Sequence, residues 1–259
     1  MIRIQDIIDC IESQVPRHLQ DSWDNSGWQI GPLSETCSGV LLCLDLNPQV
    51  IGEARQQGCN LIIAHHPLIF KGLKRIDDTS LAGECALRAI EAGISVYAAH
   101  TSLDRAPLLG VSRRIADKLH WQVSGPLEDS EPGYGVLAET DRPTPLKEVL
   151  THIKNVFGCQ YIRHNAADLD RQVQRIAICS GSGAEFIAQA HARHADAYLT
   201  GDLKHHAFTE APKGLILLDM GHYESEQCTK EIFFELISKK FPTFAVYFAK
   251  EDINPIQYF

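Results

Sequence analysis

Three short apolar runs recur in the first hundred residues: Val40-Leu41-Leu42-Cys43-Leu44, Leu61-Ile62-Ile63-Ala64 and Ile94 to Ala99. None has a polar side, so each reads as a strand buried on both faces, and a helix-length segment separates each from the next. Parallel strands need a crossover of that length, whereas antiparallel neighbours would be joined by a turn. The spacing therefore confines the chain to a layered α/β fold with a large parallel component. Local signals agree. Asn47-Pro48 supplies a cap and a first-turn proline for a helix from Val50 to Gln57, closed by Gly58. Leu81 to Ala92 is a second helix, closed by Gly93. Ahead of both, Ile4, Ile7, Ile8, Ile11 and Val15 keep helical spacing until Pro16.

The second half repeats this order. GYGVLAET reads as a strand, a helix follows a cap at Thr144-Pro145, Ile176 to Cys179 is a strand and Ala184 to His194 a helix. Ala197 to Thr200 and Leu215 to Leu218 are further strands. At a constant offset of 136, Cys43 falls on Cys179, Val50 on Phe186, Ile51 on Ile187, Ala54 on Ala190 and Ile63 on Leu199. The identities are near chance; the apolar pattern and element order carry the match. His100-x-x-x-Asp104 likewise matches His222-x-x-x-Glu226, each just after an apolar strand. The expected fold class is α/β: two linked, duplicated αβα three-layer units, residues 1–125 and 126–259, with mixed, largely parallel sheets and a seam near Gly125-Pro126. The C-terminal segments are free to pack back on the first unit.

Composition removes several function classes. With 259 residues and 44% hydrophobic content the chain can bury a substantial core. Its 33 acidic and 24 basic residues give a net charge of −9, and no basic run exceeds a pair, which argues against nucleic acid and anionic membranes as partners. The start, MIRIQDIIDCIESQVP, lacks a signal-peptide core, and no run reaches the ~18 apolar residues of a membrane span. The expected location is the cytoplasm. Eight scattered cysteines without a CxxC pair fit reduced, mostly buried thiols.

Ligands of open α/β sheets gather at the C-terminal ends of strands. There the chain places His65, His66, His100, Asp104, Asp202, His205, His206, Asp219, His222, Glu224 and Glu226. Imidazole and carboxylate without sulfur suit Zn²⁺, Fe, Mn²⁺ or Ni²⁺ and exclude a thiolate-rich structural zinc site. Neighbouring histidines inside a strand point to opposite faces. At a strand's end, with Pro67 holding His66 extended, both can turn into one cleft and serve two ions, which a carboxylate such as Asp104 or Glu226 can bridge. A single histidine here is most simply a hydrogen-bonded core or surface imidazole. Five candidates at equivalent strand ends reverse that reading.

Other features carry less. CSGSGAEF, residues 179–186, sets Gly181 and Gly183 between a strand and a helix, as a phosphate cradle or, more simply, a tight turn. Asn25 and Gly27 of WDNSGWQIG line a site or form an Asx-type turn. Trp23, Trp28 and Trp121 read as packing. No Walker loop, GxSxG elbow or Cys/His nucleophile pair occurs.

The segments DNSGWQIG, IIAHHPLIFKG, YAAHTSLD, TGDLKHH and DMGHYESE run in order over nearly the whole chain. Together they resemble the Nif-three-like family, whose members are labelled GTP cyclohydrolase I type 2 homologs or dinuclear metal centre proteins. The resemblance implies two linked αβα domains with two metal ions between them, and the short interval from Asp104 to Asp202 implies that the inserted domain of longer members is missing. It implies His65, His66, Asp104, His222 and Glu226 as ligands of two divalent ions per subunit. His100, with Asp202, Lys204 and His206, would orient ligands or face substrate, and a ring-shaped homohexamer is implied as the assembly.

Two function classes follow. In a hydrolase, a metal pair lowers the pKa of a shared water and clamps the developing oxyanion, with His100 or His206 moving protons. Its substrate would be a nucleotide such as GTP or another cyclic amidine or amide. In a storage, insertion or chaperone protein the same ligands would carry metal without turnover, and a closed coordination shell would mark that case.

Overall fold

The computed structural model describes residues 1–257 and 259. In chain order, residues 1–106 carry α1 (Ile4–Glu12), β1 (Gly27–Ile30), β2 (Val40–Cys43), α2 (Pro48–Gln56), β3 (Leu61–Ala64), α3 (Leu81–Glu91), β4 (Ser95–Ala98) and α4 (Thr101–Asp104). The middle of the chain begins with α5 (Val111–Lys118), β5 (Gln122–Pro126), β6 (Val136–Pro145), α6 (Leu146–Phe157) and β7 (Arg163–His164). It continues through β8 (Gln172–Ser182), α7 (Ile187–Ala192), β9 (Ala197–Gly201), α8 (His205–Thr209), β10 (Ile216–Asp219) and α9 (His222–Glu226), and α10 (Thr229–Lys240) and β11 (Val246–Phe248) close it. Two compact units result: Met1–Ala106 with Thr229–Pro255, and Pro107–Cys228 with Ile256–Phe259. Among the described residues no helix is long and apolar enough to cross a membrane.

The first unit is built on a five-stranded sheet ordered β1-β4-β3-β2-β11. β11, β2, β3 and β4 are parallel, and β1 runs antiparallel at the edge. Every residue of β2, β3 and β4 is buried, as their unbroken apolar runs require. On one face Leu41, Cys43, Ile62, Ala64 and Val96 form a core with Val50, Ile51 and Ala54 of α2 and Cys85, Ala86 and Ala89 of α3. On the other, α10 packs on β2 and α1 on α10. The crossover helices start where their caps dictate: Asn47 Oδ1 accepts the Val50 amide at 2.8 Å with Pro48 in the first turn, and Ser80 Oγ accepts the Gly83 amide at 3.1 Å.

The second unit holds a six-stranded sheet ordered β5-β6-β8-β9-β10-β7. Only β8, β9 and β10 are mutually parallel; β5 on β6, β6 on β8 and β7 on β10 are antiparallel. Both sheets are thus mixed, but the expected parallel majority holds only in the first. The reason lies in connection length, since β6 follows β5 after a loop too short to cross over. Gly125-Pro126, expected as the seam, instead ends β5 at the sheet edge, where a proline is tolerated. Thr144-Pro145 belongs to the end of β6, and the Thr144 hydroxyl donates to the Arg142 carbonyl without capping α6. The helix expected over Ala184 to His194 is a 3-10 turn, Ala184–Phe186, followed by the shorter α7.

The three central strands of each unit match residue by residue. The β2/β3 pairs Val40–Leu61, Leu41–Ile62 and Leu42–Ile63 become the β8/β9 pairs Ile176–Ala197, Ala177–Tyr198 and Ile178–Leu199, with residue numbers differing by 136 throughout. In each sheet the third strand then carries an antiparallel edge partner, β1 on β4 and β7 on β10. The chain leaves β4 for α4 and β10 for α9, so equivalent strand ends deliver His100–Asp104 and His222–Glu226.

Candidate metal centre

In the first unit the ladder between β2 and β3 continues past the apolar run, with the His65 amide donating to the Cys43 carbonyl at 3.2 Å and the His66 amide to the Leu44 carbonyl at 3.0 Å. Both histidines are thereby fixed at the strand's C-terminal end. His65 is wholly buried, and its Nδ1 donates to the Ala99 carbonyl at 3.0 Å. A carbonyl can only accept, so the proton sits on Nδ1 and neutral His65 carries its lone pair on Nε2. His66 Nδ1 lies 2.9 Å from Asp45 Oδ1, and His100 Nδ1 lies 2.9 Å from Asp24 Oδ1. Each ring is held by an acceptor on one nitrogen, the arrangement that orients metal-binding imidazoles.

These rings form a triangle, with centroids 5.0 Å apart for His65 and His66, 5.3 Å for His65 and His100, and 5.4 Å for His66 and His100. One nitrogen from each lies within 4.8 Å of the other two. Asp104 joins them, its Oδ1 lying 3.8 Å from His65 Nε2. The two adjacent histidines do converge, as the sequence predicts for a strand end. His100 becomes a third imidazole of the cluster, which the sequence assigned only to orientation or proton transfer.

Asp24 is the residue that reading missed. Its carboxylate accepts from His100 Nδ1, the Thr101 amide at 3.1 Å, the Thr101 hydroxyl at 2.6 Å, the Ser26 hydroxyl at 2.9 Å and the Asn25 amide at 2.7 Å. Burial alone would raise its pKa, but the bonds from His100 and Thr101 outweigh that and hold it well below the usual carboxylate range. DNSG thus serves as the support of His100. Asp45, at the end of β2, supports His66 in the same way; its only sequence signal was a lone carboxylate closing the run VLLCL.

The second unit uses one imidazole and two carboxylates. His222 Nδ1 is 2.7 Å from Asp202 Oδ2 and its Nε2 is 2.9 Å from Glu226 Oε2, one helical turn along α9. Burial would lower the His222 pKa, yet the bonds to Asp202 and Glu226 raise it to about 10, and the bond from His222 holds Asp202 below its ordinary value. Asp202 adopts a left-handed backbone, φ +56°, which an aspartate tolerates better than most residues. Buried Asp219 steadies both loops, its Oδ2 accepting the Leu203 amide at 2.8 Å and its Oδ1 the Gly221 amide at 2.9 Å, with the Arg163 guanidinium paired to it.

Gly181 explains where the Glu226 carboxylate fits. At φ +61° a Cβ there would overlap Glu226 Oε1, so glycine leaves the cradle in which that carboxylate sits. The Gly181 amide donates to the Ser225 hydroxyl at 2.9 Å and the Gly183 amide to the Thr200 hydroxyl at 3.0 Å. CSGS is thus the irregular end of β8 and not the tight turn expected, and both amides that would cradle a phosphate bond the protein itself. His205 and His206 are exposed at the start of α8, and among the described residues neither joins a candidate metal cluster. Lys204 is exposed just before them.

In each unit taken by itself, an imidazole with one nitrogen held has a carboxylate near the other, at 3.8 Å in the first and 2.9 Å in the second, a donor set that suits a divalent cation. Residues 2–255 match the family model described as Duf34/NIF3 (NGG1p interacting factor 3). The chain belongs to the Duf34/NIF3 family. A GTP cyclohydrolase 1 type 2 homolog of Clostridium perfringens is 34% identical over 236 residues, 87% of each chain. Another protein so named, from Nostoc sp., is 36% identical over 231 residues, 87% of this chain and 88% of the relative. The crystal structure of Staphylococcus aureus protein SA1388 superposes with a TM-score of 0.88 at 27% identity, covering 100% of this chain and 99% of that one. In this Duf34/NIF3 chain each of the five segments quoted above contributes one of the groups just described: Asp24, the His65-His66 pair, His100 with Asp104, Asp202, and His222 with Glu226.

Proposed function

We propose that this protein is a metal-dependent hydrolase in which His65, His66 and Asp104, together with His222 and Glu226, hold two divalent ions. The observation that carries the reading is the shared second-nitrogen arrangement: His65, His66, His100 and His222 each have Nδ1 against a carbonyl or carboxylate oxygen. The register match at offset 136 supports two copies of one unit as the scaffold. Zinc, iron, manganese and nickel all suit these donors.

Bound divalent ions would supply Lewis acidity and a water that ionises near neutral pH. The chain's own residues do the rest. Asp24 fixes the His100 ring in one orientation, which makes His100 the better-supported proton carrier; His206 at the exposed start of α8 is the second candidate. Asp45 and Asp202 hold the His66 and His222 rings in place. The relatives' name points to a nucleotide such as GTP, or another cyclic amidine or amide, as substrate. A cytoplasmic setting and a homohexameric ring are proposed with it.

The test is turnover. Metal-quantified protein incubated with a panel of nucleotides and cyclic amides is expected to form new product, and Glu226→Ala to abolish it. Two retained ions per chain with no product from any member of the panel would remove the hydrolase reading and leave metal storage or insertion.

A further inference from the structure

Trp23 and Phe70 are large aromatic side chains left 57% and 46% exposed. They come from different loops, yet their ring centroids lie 5.8 Å apart at an interplanar angle of 56°. Both also stand edge-on to the His100 ring, at 6.1 Å and 74° for Trp23 and 6.3 Å and 75° for Phe70. The other tryptophans differ: Trp28 packs edge-on to Tyr97 at 5.4 Å, and Trp121 is buried, as the sequence reading expected of all three.

The exposure does not come from a loose loop. Trp23 sits between Asp21 and Asp24, both tied to α4 and its exit: the Asp21 amide donates to the Thr101 hydroxyl at 3.0 Å, Arg105 pairs with Asp21 at 2.5 Å, and Asp24 holds Thr101 and His100. The Phe70 loop is pinned one residue earlier, with the Ile69 carbonyl accepting from Asn25 Nδ2 at 2.6 Å and the Ile69 amide donating to Gln29 Oε1 at 3.0 Å. The hydrogen-bonded frame fixes the backbone on either side of both rings, which lowers the ordering cost of holding a third flat ring against them. Tilted rings that do not stack on each other keep faces for that partner. The chain then runs from Phe70 into exposed Lys71, Lys74 and Arg75, a cationic stretch in an otherwise acidic protein, suited to a phosphorylated tail.

We infer that Trp23 and Phe70 form a clamp for a planar heteroaromatic ring, which they hold beside His100. This deepens the hydrolase reading and rests on it for the identity of the ring as substrate. It commits to a small-molecule heterocycle over a second copy of the chain, because the rings flank a cluster of imidazoles and not a broad apolar surface.

The experiment uses full-length, metal-quantified protein and follows binding of guanosine, GTP and inorganic triphosphate by calorimetry and tryptophan fluorescence. Guanosine and GTP are expected to bind and to quench Trp23, and W23L and F70L each to weaken both by about tenfold, within the range for loss of one stacking partner. Metal content, thermal midpoint and particle mass should stay as in the wild type. Guanosine and GTP affinities unchanged in both variants would overturn the clamp, as would binding of triphosphate without guanosine, or a change of particle mass with ring binding intact. Loss of guanosine affinity in W23L from protein that holds no metal would support the clamp while removing the hydrolase reading.

Discussion

The strand ends of the first unit and their counterparts in the second occupy the same topological positions but present opposite chemistry. After β3 the chain places His65-His66, and at the same register the end of β9 and its exit place Gly201-Asp202. After β4 comes a histidine held by Asp24, and after β10 a histidine gripped by Asp202 and Glu226. Register therefore fixes where a side chain emerges, while residue type alone decides whether that position offers a nitrogen or an oxygen. The first unit supplies three imidazoles with one carboxylate, the second one imidazole between two carboxylates.

The supports beneath the two sets differ as well, and the largest expected effect exploits this. In the first unit Asp252 accepts the Leu44 amide at 2.7 Å and pairs with Lys230 at 2.8 Å, both side chains being largely buried. In the second unit Asp219 has an equivalent clamping role, but its partner Arg163 is 59% exposed. Lys230→Ala leaves a buried charge deprived of its cation and should cost about 3–5 kcal/mol, whereas Arg163→Ala should cost about 1 kcal/mol or less. Chemical denaturation of both variants checks the contrast; equal losses would break it.

A middle-sized effect concerns ring orientation. Asp24→Asn and Asp202→Asn keep the side-chain shape but remove the charge that holds His100 and His222. Metal affinity should fall roughly 10- to 100-fold in Asp202→Asn, since His222 is a proposed ligand, and less in Asp24→Asn, as isothermal titration would measure. A larger loss in Asp24→Asn would promote His100 to a ligand in its own right.

The smallest effect is shared by both units. All eight cysteines are buried as free thiols. Burial pushes Cys37 and Cys159 up to about 12 and Cys59 and Cys85 up to about 11, from an ordinary value of 9.0. The unfolded chain thus ionises these thiols first and binds fewer protons than the folded one above pH 9. Their contribution is full below that pH and declines from there to about pH 11–12. The melting temperature should fall over that window, and iodoacetamide at pH 8 should leave these four unmodified until the protein unfolds; ready labelling of the native protein would contradict the burial.

Much of this was legible in the sequence because it is written locally. The apolar runs of β2, β3 and β4 and the cap at Asn47 act within a few residues, and His65-His66 announces itself by adjacency. What stayed hidden depends on contacts across long separations. Asp24 reaches His100 over 76 residues, and Gly181 matters only because Glu226 folds against it. β11 pairs with β2 through three residues, Val246–Phe248, none of them buried, so periodicity gave it no signal. His206 differs from His65-His66: adjacency in the sequence marks both pairs, but the structure brings only His65-His66 into a metal-ligand cluster and leaves His206 exposed at the start of a five-residue helix.

The most direct test of the central claim is metal content per chain, measured by mass spectrometry on wild-type protein and on the His65→Ala plus His222→Ala double variant after identical metal loading and desalting. Two ions per wild-type chain, lost in the double variant with its fold retained, is the result predicted. Unchanged metal content with both ligand sets broken would contradict it.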